Sequence, residues 1–121
     1  MSQVPPKKTG LARVAAATRY SVAGLRACFL SEEAFRIEAS LGLVLVPIAL
    51  WLGETPVERV LLVFSIVLVL LIELLNTAIE SVINRVGLEY NELSKQAKDV
   101  ASAAVFVSLL FFVFVWAALL A

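Results

Sequence analysis

Histidine is absent from this chain of 121 residues, and cysteine occurs once, at Cys28. The first absence removes histidine-based nucleophilic triads and histidine metal sites. The second removes an intramolecular disulfide. There is no Gly-x-x-x-x-Gly-Lys-Ser/Thr loop and none of the protein-kinase signatures, so any nucleotide site is unlike both common types. Net charge is missing too: ten basic and ten acidic residues cancel, and the total carries no information about partners. Any chemistry must rest on Asp, Glu, Asn, Lys, Arg, Ser, Thr or Tyr.

What is plentiful is apolar. Hydrophobic residues make up 61% of the chain, against about half in a typical soluble domain. They fall in blocks, which points to membrane spans in a single all-α domain over residues 11–121. Residues 1–10 are polar, with Pro5, Pro6, Lys7 and Lys8, and read as a disordered lead-in. Residues 11–29 carry Leu11, Val14, Thr18, Val22, Leu25 and Phe29 at steps of three and four, a single helical stripe. Arg13, Arg19 and Arg26 interrupt this segment, making it too polar for the core of a cleavable signal. An amphipathic helix on the membrane surface is expected, its basic side toward head groups.

Three spans follow, at about 32–52, 56–86 and 92–121. Ser31 is expected to cap the first, with Glu32 and Glu33 in the opening turn where the helix dipole favours acids. Its apolar part, 39–52, is shorter than the roughly 20 residues that cross a bilayer, so Ala34, Phe35 and Ile37 belong to it and Glu38 lies near the membrane edge. Pro47 is a candidate kink and Gly53 a stop. Thr55-Pro56-Val57-Glu58 is a start signal with a capping box. Gly87 closes the second span, and residues 100–121 carry no charge at all. Lysine and arginine number six in residues 1–38, one in the turn 53–59, three in 85–99 and none beyond. This alternation predicts a cytoplasmic N-terminus and a periplasmic C-terminus.

Chemistry is written on the second span. Glu73, Asn76 and Glu80 lie within about 60° of arc, at about 100° per residue, and Thr77 and Asn84 share that side. Ionisable groups inside a membrane cost a few kcal/mol and usually mark a functional path. Helix–helix glue, with Asn76 and Thr77 bonding between subunits, is the other reading; glue rarely needs two acids on one face. Glu32, Glu33 and Glu38 should meet Glu80 at the inner interface, where hard carboxylate oxygens suit Mg²⁺ held together with substrate phosphates. The loop 85–99 supplies Lys98 and Asp99; Lys98, with Arg13 and Arg19, is suited to phosphate oxygens.

The segment Glu73-Leu74-Leu75-Asn76-Thr77-Ala78-Ile79-Glu80 resembles the E-x-x-N-[ST]-A-[IV]-E signature of the small bacterial diacylglycerol kinases. The likeness continues through Arg85, Glu89-Tyr90-Asn91-Glu92-Leu93-Ser94, Ala97-Lys98-Asp99 and Ser102-Ala103-Ala104-Val105. Upstream it takes in Tyr20-Ser21, Gly24-Leu25-Arg26-Ala27, Glu32, Ala34-Phe35-Arg36 and Glu38.

The resemblance implies a homotrimeric helical bundle in the bacterial inner membrane. Its members phosphorylate the free hydroxyl of diacylglycerol with Mg-ATP, at sites built between subunits, and nucleic acid is no partner. It implies Glu73 as the general base, oriented by Asn76, and Glu32 and Glu80 as ligands of Mg²⁺. ATP contacts are expected from Arg13, Tyr20, Glu32, Glu80, Glu89, Tyr90, Asn91, Lys98 and Asp99. Lipid contacts are expected from Arg13, Arg26, Ala34, Phe35, Glu38, Trp51, Arg59, Glu73, Ser102 and Trp116. Asn84 stands where Asp is common in the family and Asn91 where His follows the Tyr; Val22 and Ala23 also depart from its pattern. Two other readings remain open: the undecaprenol kinase branch, which shares the stripe, and a non-enzymatic trimeric membrane protein whose stripe lines an assembly seam.

Overall fold

The computed structural model describes residues 4–121. They form four helices: α1 (Gly10–Ser31), α2 (Glu33–Leu52), α3 (Pro56–Val86) and α4 (Glu92–Leu120). Residues 4–9 carry no regular structure, and the first three residues of the expected lead-in fall outside the described chain. Helices α2, α3 and α4 are each long and apolar enough to cross a membrane. At 1.5 Å per residue, α3 and α4 extend about 46 and 44 Å, well beyond a hydrocarbon core of about 30 Å, so their polar ends reach into water.

Local chemistry explains most of the boundaries. Thr55 caps α3 as a capping box: its hydroxyl accepts from the Glu58 amide at 3.2 Å, and the Glu58 carboxylate accepts from the Thr55 amide at 3.1 Å. The same carboxylate oxygen accepts from the Glu54 amide at 3.0 Å. Asn91 caps α4, its side-chain oxygen accepting from the Leu93 and Ser94 amides at 2.9 and 3.1 Å. Gly53 and Gly87 stop α2 and α3. At Gly53 a side chain is excluded by packing, because a Cβ there would sit 2.6 Å from Arg59 Cγ. Helix α2 runs unbroken through Pro47.

The expected start of α2 is corrected. Ser31 does not cap it; α1 continues through Ser31, and Glu32 alone separates the two helices. Its backbone is extended, at φ −115° and ψ 110°, and no side chain caps the junction. The serine gives a valid local start signal, but α1 runs two residues past its expected end because its terminal carbonyls find another donor, described below.

Helix α3 is the centre of the bundle, packing on both α2 and α4. Small residues on α2 let the two backbones approach: Gly42 and Ala49 are both buried, and a Cβ on Gly42 would lie 3.3 Å from Ile66. Between helices in lipid, close packing and interhelical hydrogen bonds hold the contact, since apolar transfer gives little. Ala49, Leu62 and Val115 form a core cluster, with Val63, Phe111, Trp116 and Leu119 around it. Phe64 meets Phe111 edge-on, with centroids 6.1 Å apart. Ser65 is fully buried and satisfied: its hydroxyl donates to Leu62 O at 2.7 Å and accepts from Trp116 Nε1 at 3.0 Å.

Helix α1 is different. Its stripe residues Leu11, Val14, Val22, Leu25 and Phe29 are exposed, while Ala16 and Cys28 are its buried positions. Its Cys28 thiol donates to Thr77 Oγ1 on α3 at 3.4 Å.

Candidate functional site

The stripe on α3 occupies one face, with four acids gathered around it. Glu73 is buried, at 5% exposure. Glu80 lies on the same face of α3 two turns on, and α2, which packs against α3, carries Glu38 and is preceded by Glu32. Three elements therefore contribute: the α1–α2 junction brings Glu32, the second turn of α2 brings Glu38, and α3 brings Glu73 and Glu80. Thr77 Oγ1 donates to Glu73 O at 3.0 Å while accepting from Cys28, so α1 is fastened to the turn that holds the buried acid.

Asn76 differs from its expected role. Its amide nitrogen donates to Glu80 Oε1 at 3.3 Å and not to Glu73. Residues three and four apart both stack on one helix face, so either acid is within reach of Asn76. The Asn76 Oδ1 and Glu38 Oε2 atoms are buried without hydrogen-bond partners. Buried polar atoms are rarely left so. Two orphaned oxygens beside a buried carboxylate mark a place built to meet donors from outside the chain.

Among the described residues no three acidic or cysteine side chains converge tightly enough to hold a metal ion unaided. Glu32 and Glu80 supply two carboxylates next to Glu73. That set fits Mg²⁺, which binds through one or two carboxylates and completes its shell with water and substrate phosphates.

A second feature lies further along the stripe. Lys98 on α4 donates to Asn84 Oδ1 on α3 at 2.9 Å. Both line a cavity of about 450 Å³, together with Glu89, Tyr90, Asn91, Ser94, Lys95 and Asp99. Five of the expected nucleotide residues thus share one cavity. Asn91 also spends its side-chain oxygen on capping α4, and Asp99 pairs with Lys95 at 2.6 Å on the exposed face. Sequence reasoning placed Lys98 but missed its partner Asn84; the two are 14 residues apart on different helices, and no local pattern links them.

The remaining candidates are dispersed. Arg13 and Tyr20 line a separate cavity of about 420 Å³ with Pro5, Pro6, Lys7 and Lys8. Glu38 borders an apolar pocket of about 90 Å³ formed by Leu41, Gly42, Leu45, Ile66, Val69, Leu70, Leu109 and Phe112. Phe35 is buried; Arg26, Ala34 and Ser102 are exposed. Trp51 is 81% exposed, and Arg59 Nε donates to Gly53 O at 3.1 Å. Trp51, Arg59 and Trp116 stand at the opposite end of the bundle. Fourteen residues separate Glu73 from Arg59, about 21 Å along the helix.

A sequence model of the family described as prokaryotic diacylglycerol kinase matches residues 19–120. The chain belongs to that family. These enzymes are lipid kinases, and so is this protein. It is 47% identical to the diacylglycerol kinase of Escherichia coli K12 over 112 residues, covering 93% of this chain and 92% of that one. The diacylglycerol kinase of Haemophilus influenzae is 45% identical over 114 residues, 94% of this chain and 97% of that one. The Pseudomonas aeruginosa enzyme of the same name is 47% identical over 121 residues, 99% and 98%. The kinase therefore spans nearly the whole of these relatives, and its buried acids, Asn84 and Lys98 all lie inside the family match.

Proposed function

We propose that this kinase transfers the γ-phosphoryl group of ATP to the free hydroxyl of diacylglycerol, giving phosphatidic acid in phospholipid recycling. The burial of Glu73 on the stripe it shares with Glu80, with Lys98 of α4 bonded to Asn84 further along that stripe, carries the reading. Glu73 is the base. Its carboxylate takes the hydroxyl proton, the freed oxygen attacks the γ-phosphorus, and the bond to the β–γ bridging oxygen breaks as ADP leaves with the electron pair. A positioned base of this kind contributes about 10²–10⁴ in rate. Phosphoryl transfer otherwise asks for alignment and charge neutralisation. Glu32 and Glu80 are the residues that would hold Mg²⁺, which would supply neutralisation of the phosphate charge.

Lys98, steadied by a neutral partner, offers its full charge to phosphate, and the cavity it shares with Glu89, Tyr90, Asn91 and Asp99 receives the nucleotide. In a single copy this cavity is separate from the one lined by Arg13 and Tyr20. A site using all of them draws α1 from a neighbouring copy, which supports a homotrimer with sites between subunits. Exposed apolar side chains such as Leu43, Phe106, Val107 and Phe114 supply surface for other copies or for acyl chains. The distribution of lysine and arginine supports an inner-membrane protein with a cytoplasmic N-terminus, α1 lying on the surface with its exposed stripe in lipid.

Purified protein in detergent, given labelled ATP and either diacylglycerol or undecaprenol, tests this directly. Labelled phosphatidic acid is expected. Phosphorylation of undecaprenol alone would assign the chain to the other branch, and no transfer to either lipid would end the reading.

A further inference from the structure

Helix α1 ends on carbonyls that its own backbone leaves open. The Cys28 carbonyl is taken by the Glu32 amide at 2.9 Å, but the carbonyls of Phe29 and Leu30 have no intrahelical donor, as helix C-termini require. Arg36, on the first turn of α2, fills this need. Its Nη1 donates to Phe29 O and to Leu30 O, both at 3.0 Å. The guanidinium forms no ion pair despite Glu32 and Glu33 nearby; among the described residues the one salt bridge is Lys95–Asp99. A cation at a helix C-terminus also meets the negative end of the helix dipole.

Between the two joined pieces lies a single residue, Glu32, in neither helix. No side chain fixes its backbone. The direction of its carboxylate is therefore set by the angle between α1 and α2, and Arg36 is the side chain that ties one to the other across the junction. The other helix junction is tied in the same way: Arg59, likewise the fourth residue of its helix, donates to Gly53 O. Of the two, the first elbow is itself an acid that the proposed reaction uses, Glu32.

We infer that Arg36 is a positioning residue, latching the α1–α2 elbow so that Glu32 is held in the one direction its cation role requires. The inference rests on the proposed role of Glu32 toward a divalent cation. Without the latch the elbow opens, Glu32 samples other directions, and cation affinity in the presence of nucleotide falls. Groups that orient a metal ligand typically change metal affinity by about 10–100-fold.

The test uses the full-length protein in detergent, with Mn²⁺ as the probe and a non-hydrolysable ATP analogue present. Electron paramagnetic resonance reads free Mn²⁺, and hydrogen exchange reads the amides of residues 29–35 without any metal. For Arg36→Ala we expect faster exchange across the elbow and at least tenfold weaker Mn²⁺ binding. Arg36→Lys, which keeps the charge but not the fork, should recover part of both. Arg36→Lys carries the test alone if Arg36→Ala cannot be purified. Unchanged exchange overturns the latch, and faster exchange with unchanged Mn²⁺ affinity overturns the positioning of Glu32, in whichever variant folds. Failure of the proposed reaction looks different: the unmodified protein then phosphorylates neither lipid, while the exchange comparison still decides the latch.

Discussion

Replacing Lys98 by Met isolates the charge that the proposed mechanism assigns to the nucleotide phosphates. The structure allows this change to be read cleanly. Lys98 is half-buried and hydrogen-bonded to Asn84 alone, and Asn84 is exposed, so water can satisfy the amide oxygen that the lysine leaves. Removing the contact should cost stability less than about 1 kcal/mol. The ligand-bound state loses more. A hydrogen bond to a charged group is worth about 1.5–3 kcal/mol, which at 1.36 kcal/mol per factor of ten is about 10–150-fold. Initial rates at varied ATP and fixed diacylglycerol give the comparison, with thermal unfolding in detergent as the control. The KM for ATP should rise by that factor while the KM for lipid and the Tm stay near their original values. An unchanged KM for ATP, or a loss confined to the KM for lipid, would refute the assignment of Lys98 to the phosphates.

Two stability predictions concern the far end of the bundle. Thr55→Ala removes one half of the capping box and should cost about 0.5–2 kcal/mol in unfolding experiments, with lipid phosphorylation unaltered because Thr55 stands near Arg59 and far from Glu73. Trp116→Phe deletes the 3.0 Å bond to Ser65 but leaves Ser65 donating to Leu62 O, so about 1 kcal/mol is expected. A loss above about 3 kcal/mol would mean that Trp116 holds the bundle by packing that this bond does not represent.

The helices were legible because their ends are written locally. Thr55 and Glu58 sit three apart with Pro56 between them, Gly53 follows an apolar run, and the three long helices end at Leu52, Val86 and Leu120. The face shared by Glu73, Asn76 and Glu80 was equally readable, because helical periodicity alone puts them together. The α1–α2 junction was not. Ser31 carries the right local signal, yet the carbonyls of Phe29 and Leu30 are met by Arg36, a contact across a bend that no cap preference encodes. The same limit hid the bonds Cys28–Thr77, Lys98–Asn84 and Ser65–Trp116, which join residues 49, 14 and 51 positions apart. Asn76 shows a subtler limit: periodicity placed it beside both Glu73 and Glu80, and only coordinates give its bond to Glu80.

The central claim is that Glu73 removes the lipid hydroxyl's proton. Glu73→Gln keeps the size and the hydrogen-bonding capacity of the side chain while deleting the base. Transfer of labelled phosphate from ATP to diacylglycerol should fall at saturating substrates by about 10²–10⁴, with the oligomer and nucleotide binding preserved. A variant that phosphorylates diacylglycerol within a few-fold of the unmodified protein would contradict the account.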